Sequence, residues 1–167
     1  ILSNKIDYFR NKFKNSKLII ENYAIGALKK KVLLKQLKES SSSTIRNLNE
    51  NSKYFKKKLF FLQGDKKGSF FKEIEVEQIK LNDYLINNNI SNVDFLKIDT
   101  EGYEFEVLTG AKEALSKISI VLFEHHYDDM ITKNYKFSDI HNLLLINNFT
   151  QLYKSKMPFR KTFEYIY

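Results

Sequence analysis

The sequence predicts an α/β fold: an open, mostly parallel sheet closed by an antiparallel pair at its C-terminal end. Three observations predict it. The runs at 93–98 and 118–123 are apolar almost throughout, interrupted in the first only by Asp94 and Lys97, as strands covered on both faces are. The stretch between them, 103–117, places Leu108, Ala111, Leu115 and Ile118 on one helical stripe. Strand, helix and strand then alternate, which is the pattern of crossover units with right-handed connections.

The elements follow in chain order. Residues 1–13 put Leu2, Ile6, Phe9 and Phe13 on one helical stripe. Leu18, Ile19 and Ile20, with Tyr23, Ala24 and Ile25, read as a short strand ended by Gly26. Residues 29–38 are compatible with a strand or a short helix. Residues 40–44 are a loop, because short hydroxyl side chains compete for backbone hydrogen bonds. The polar, lysine-rich residues 45–58, anchored by Leu48, Tyr54 and Phe55, belong to an expected excursion over 40–73 within a single domain of 1–167. Gly64 and Gly68 mark turns. The period-two alternation at 75–81 predicts a half-buried strand. Asn82 and Asp83 open a short helix that Asn87, Asn88 and Asn89 close. Residues 138–148 form an amphipathic helix with Ser138 as N-cap. Residues 149–153 and 162–167 are the closing strands around Met157 and Pro158.

Composition narrows the chemistry. The 167 residues include no cysteine, which removes disulfides, zinc–thiolate sites and a thiol nucleophile. A single domain of this size buries about 70% of its unfolded surface and needs no such staple. The net charge is +8, and it is uneven: residues 1–74 carry 18 basic and 6 acidic groups, residues 75–167 carry 10 and 14. The basic groups are lysine except at Arg10, Arg46 and Arg160. Lysine alone is a poor reader of bases and phosphates, so compositional drift is preferred to a nucleic-acid partner. No apolar run reaches the roughly 20 residues of a membrane span, no signal peptide is visible, and the expected compartment is the cytoplasm.

Ligands of open α/β sheets bind beyond the carboxyl ends of the strands. After 93–98 come Asp99, Thr100, Glu101 and Gly102; after 118–123 come Glu124, His125 and His126. Adjacent strands lie about 4.8 Å apart, so Asp99 and Glu124 are expected to converge. Two acids in one place repel and raise a pKa, which stability alone does not call for. Helix capping is the competing role for Asp99, and the helix dipole for Glu101. If the strand continues, His125 and His126 point to opposite faces, so at most one of them serves the site.

The segment VDFLKIDTEGYE at 93–104, continuing as EVLTGA at 106–111, resembles the signature of the FkbM-type methyltransferase family. VLFE at 121–124, NYAIG at 22–26, the serines before Ile45 and IKLND at 79–83 also resemble it, with Asn82 standing where the family usually has an acid. The resemblance implies a Rossmann-like, S-adenosylmethionine-dependent O-methyltransferase acting on a hydroxyl of a sugar, polysaccharide or natural product. It assigns Asp99 as the first site carboxylate, with Glu124 and His125 to orient the acceptor or take its proton, and Glu101 as a fourth candidate. Asn22 and Ala24 are placed beside the adenine. No metal is assigned.

The resemblance also predicts a strand and a glycine-rich donor loop. No Gly-x-Gly occurs among Gly26, Gly64, Gly68, Gly102 and Gly110. The chain is therefore read as a C-terminal portion of such a protein, with a sheet incomplete at its N-terminal strands and weak binding of the donor. A non-catalytic binding module that kept the sheet is the alternative, and a basic nucleic-acid-binding domain a weaker third reading.

Overall fold

A computed structural model describes residues 12, 18–37, 43–53, 55–57, 71–158 and 160–167. The helix expected over 1–13, the turns at Gly64 and Gly68, Tyr54 and most of the serine loop lie outside them or nearly so. The described strands are β1 (Tyr23–Ile25), β2 (Lys30–Leu37), β3 (Ser43–Thr44), β4 (Phe71–Ile79), β5 (Val93–Ile98), β6 (Ile118–His126), β7 (Tyr153–Lys156) and β8 (Thr162–Ile166). The helices are α1 (Leu81–Asn87), α2 (Glu104–Gly110) and α3 (Phe137–Ile146), with a 3-10 turn over Lys112–Lys117. Within 29–38, Lys30–Leu37 form a strand rather than a helix, and of the early apolar stretch only Tyr23–Ile25 pairs among the described residues.

The fold is α/β, but the sheet is not mostly parallel. The described residues form two four-stranded mixed sheets, ordered β1-β4-β2-β3 and β5-β6-β8-β7. Among the described pairs, β1/β4 and β5/β6 are parallel; β2/β4, β2/β3, β6/β8 and β7/β8 are antiparallel. The reason is connection length. The short link at 26–29 reverses the chain, so β1 and β2 run in opposite directions on either side of β4, which must oppose one of them. The turn at Met157 and Pro158 does the same for β7 and β8, where the Met157 N–H donates to the Thr162 carbonyl at 2.9 Å.

The core lies between the second sheet and α2, α3 and the 3-10 turn. Leu108, Leu115, Val121, Phe123, Ile140 and Leu144 are fully buried there. Each such side chain contributes about 1.5–3 kcal/mol relative to exposure. The helix expected over 103–117 tightens at Ala111, whose N–H is shared between the Val107 and Leu108 carbonyls at 3.0 and 3.1 Å, as at a 3-10 transition. Gly110 sits where α2 crosses the end of β1; a Cβ there would collide with the Gly26 carbonyl. That crossing joins the two sheets.

The cap of α3 is Lys136 rather than Ser138. The Asp139 carboxylate accepts the Lys136 N–H at 2.7 Å, closing the first turn two residues earlier than the hydroxyl would. Asn89 and Asn148, at φ of 53° and 66°, end α1 and α3 in the left-handed region that asparagine tolerates. In the lysine-rich segment, Phe55 is buried with Met130 and Ile131, and Leu48 bridges Ile131. No described helix is long and apolar enough to cross a membrane.

Candidate active site

The parallel pair β5/β6 ends at a loop, residues 99–103, whose shape is held by buried polar groups. Glu101 and Gly102 both lie in the left-handed region, at φ of 49° and 93°. A non-glycine residue there costs about 1–2 kcal/mol, so Glu101 is strained and must be held. At Gly102 a Cβ would come within 2.6 Å of Ile131 Cγ2, which requires glycine. Glu104 has no exposed surface. Its Oε1 accepts hydrogen bonds from the Gly102 N–H at 2.9 Å and the Thr100 hydroxyl at 3.0 Å, and its Oε2 accepts from the Tyr135 hydroxyl at 2.7 Å. Burial and the Glu104 charge push the Tyr135 hydroxyl pKa far up, keeping it a donor.

Arg46 and Thr44 clamp the loop from the other side. Arg46 Nε donates to the Gly102 carbonyl at 3.0 Å, its Nη2 pairs with Glu106, and its guanidinium lies over the Tyr103 ring at 5.0 Å. The Thr44 hydroxyl donates to the Glu101 carbonyl at 2.8 Å. The strained loop is thus fixed to the first sheet as well as to its own helix.

Asp99 and Glu124 are brought together. The register Ile98↔Phe123 places Asp99 beside Glu124 in the next row. Asp99 is exposed and within 3.4 Å of Lys97 Nζ. Glu124 is only 8% exposed and makes no hydrogen bond or ion pair among the described residues. Burial first, and then the Asp99 charge, raise its pKa above the ordinary carboxylate range. Glu101 joins the same rim through His126, whose Nε2 lies 3.3 Å from Glu101 Oε2. Burial works against the charged form of His126, but Asp128, Glu101 and Glu104 around it outweigh that and raise its pKa.

His125 is not brought to this rim. The strand continues to His126, so His125 faces the opposite side with Phe123. It is enclosed by the rings of Tyr127, Phe137 and Tyr135, with centroids 4.7, 5.7 and 5.8 Å away. Burial first, then Lys133 and His126, lower its pKa to about 4. Neutral in that box, it is a packing residue.

Asn22 and Ala24 lie across a cleft from Asp99. The cleft, about 890 Å³, runs between β1 and β4 of one sheet and the end of β5 of the other. Its charged lining residues are Glu21, Glu75, Glu77 and Asp99 against Lys97, so an acidic cavity sits in a chain of net charge +8. Among the described residues no three His, Asp or Glu groups are arranged to hold a metal ion.

The residues that sequence reasoning missed are Arg46, Glu104 and Asp128; His126, weighed there against His125, is the histidine that faces the rim. Arg46 offered one signal: it is among only three arginines, in a stretch otherwise rich in lysine. Glu104 and Asp128 offered none, since acids at a helix start or in a loop are ordinary there.

A family model described as the methyltransferase FkbM domain matches residues 3–153 of the chain. Neither a curated protein nor a solved structure matches it.

Proposed function

We infer that this chain, which belongs to the methyltransferase FkbM family, transfers a methyl group from S-adenosylmethionine to a hydroxyl of a sugar, polysaccharide or natural product. The observation that supports the reading is the meeting of Asp99 with the largely buried Glu124 at the carboxyl ends of a parallel strand pair.

The cleft beside Asp99 suits such a donor. Its volume is within the range of small-molecule sites, about 300–1,000 Å³. Its acidic lining complements a sulfonium cation. Asn22, just before β1, and Ala24 within it would hold the adenine side, and Asp99 the charged side. When bound, the donor supplies an activated methyl group. The chain's own residues then have to align and deprotonate a hydroxyl. Alignment of oxygen, methyl and sulfur is worth much of the barrier, and the clamped 99–103 loop fixes the rim against which it occurs. Glu124 takes the hydroxyl proton. Its raised pKa brings it nearer the working pH than an ordinary carboxylate, which favours general-base action. Glu101, held by His126, positions the loop.

The competing reading is a binding module that keeps the sheet and transfers nothing. Transfer of labelled methyl to a panel of mono- and oligosaccharides, with donor at millimolar concentration, separates the two. Transfer that falls about a hundredfold in Glu124→Gln and drops in Asp99→Asn supports the enzyme. No transfer to any acceptor, with calorimetry showing no donor binding, leaves the binding module.

A further inference from the structure

We propose that His126 is a positioning residue for the transfer site: Asp128 and Thr162 hold its ring from behind, and its Nε2 edge supplies the counter-charge for the rim carboxylates Glu101 and Glu124. This rests on the methyl-transfer reading and goes beyond it by naming the group that keeps the two acids in working order.

The ring is anchored on one edge and left without a hydrogen bond on the other. Nδ1 lies 3.1 Å from the Thr162 hydroxyl oxygen and 3.7 Å from Asp128 Oδ2. Asp128 is itself fixed, since its Oδ1 accepts the Met130 N–H at 3.0 Å. The His126 and Asp128 side chains are 6% and 4% exposed. Nε2 is buried and makes no hydrogen bond among the described residues, yet it stands 3.3 Å from Glu101 Oε2 as an ion pair. A buried nitrogen without a hydrogen bond is costly, so a purely architectural ring is expected to satisfy both edges. Here the unsatisfied edge is the one turned to the rim.

Two acids depend on that edge. Glu101 is strained at φ of 49°, and Thr44 and Arg46 grip its loop only by the backbone carbonyls of Glu101 and Gly102. Among the described residues, His126 is the one group paired with the Glu101 carboxylate. Glu124 precedes His126 by two positions on β6, so both side chains leave the same face, about 6–7 Å apart along the strand. Burial, and then Asp99, drive Glu124 toward its protonated form. The His126 charge acts against both, while Glu164, opposite Glu124 on β8, adds to the push.

The surroundings keep that charge in place. Burial opposes a charged His126, but the acids around it prevail: Asp128 on its own segment, Glu101 on the 99–103 loop and Glu104 at the start of α2. Lys133, whose ammonium donates to the His126 carbonyl, and the neutral His125 complete its titratable neighbours. Burial also disfavours the Asp128 carboxylate, yet His126 and the Met130 N–H hold its pKa below the ordinary range, so the pair is ionised on both sides. A cation fixed beside the proton acceptor keeps that acceptor ionisable in a buried, acidic place. Because the ring is already anchored, it need not reorganise when the hydroxyl proton moves.

The test is a pH titration of the full chain by NMR, without donor or acceptor, following the Glu124 carboxyl carbon and the His126 ring. In the parent the ring should titrate with a midpoint above 6.5. In His126→Gln the Glu124 ionisation should move to higher pH by about half a pH unit or more, and the amides of 100–102 should exchange faster. Asp128→Asn should lower the His126 midpoint with the ring still present, which decides the matter if His126→Gln does not fold. A Glu124 ionisation unmoved in a well-dispersed His126→Gln, or a His126 midpoint indifferent to Asp128→Asn, overturns the proposal. In transfer assays His126→Gln should lose rate most at low pH and recover part of it as pH rises, with little change in donor KM. Transfer that ignores His126→Gln at every pH overturns the positioning role and leaves the methyl-transfer reading standing. The expected NMR shifts without transfer to any acceptor keep His126 as the counter-charge of the rim and overturn the methyl-transfer reading.

Discussion

The two faces of β6 treat alternate residues of one strand in opposite ways. On the covered face Phe123 is fully buried and stacks on Tyr165, Tyr167 and Phe137, and His125 is enclosed by rings. On the other face Ile120 is 37% exposed, and Glu124 is buried without a hydrogen bond among the described residues. The first face answers only to packing: its one titratable group is kept neutral. The second keeps Glu124 beside Asp99, whose charge opposes its ionisation. Polar residues whose cost has no structural return mark where a ligand is met.

The largest effect expected from this contrast is in stability. Phe123→Ala should cost about 3–5 kcal/mol, because the surrounding rings cannot collapse onto the hole, whereas Phe95→Ala on the open face should cost under about 1 kcal/mol. Urea denaturation of both variants measures this; equal losses would break the contrast.

Next is pH. His125 ionises at about 4 in the fold and at 6.5 in the unfolded chain, so the unfolded chain takes up its proton first as pH falls. Stability is present above 6.5 and is lost between 6.5 and 4, by on the order of 3 kcal/mol once complete. His126 has a raised pKa and works the other way, its contribution being full below 6.5 and lost as pH rises through the raised value. The difference between the parent and His125→Phe in melting from pH 7 to 4 isolates the first group. Parallel pH dependences would show that His125 is not kept neutral.

A comparable loss is expected at the loop. Gly102→Ala must push Ile131 aside and hold alanine at φ of 93°, costing about 2 kcal/mol or more. Thermal melting checks it, and an unchanged melting temperature would mean the loop relaxes freely.

The smallest stability effect has an unusual sign. Glu124→Gln removes a like-charge neighbour of Glu164 and Asp99, so it should stabilise the fold by about 0.5 kcal/mol while it removes activity. Destabilisation on that substitution would mean the carboxylate has a structural partner after all.

Much of this was legible in the residues, and the rest was hidden for definite reasons. The run 93–98 matched β5 because an apolar strand bounded by a turn has few alternatives. The convergence of Asp99 and Glu124 followed once β5 and β6 were neighbours. Mixed sheets were not legible, because β4 inserts between β1 and β2 from a distant part of the chain and no local period encodes that. Pairing of β6 with β8 likewise hid Glu164, since a carboxylate in a closing strand looks like solvent-facing alternation until its partner is known. His125 was misplaced because strand 118–123 was ended early; three further residues, to His126, put the other histidine on the rim. Arg46 reaches the site through the first sheet, a contact that spans some 56 residues of sequence.

The measurement that bears most directly on the central claim is the pH–rate profile of methyl transfer in the parent and in Glu124→Gln. The parent rate should rise with pH through one ionisation above the ordinary carboxylate range, and the variant should be slower by about a hundredfold and lack that ionisation. A variant that keeps both the rate and the ionisation would contradict the assignment of Glu124 as the group that takes the proton.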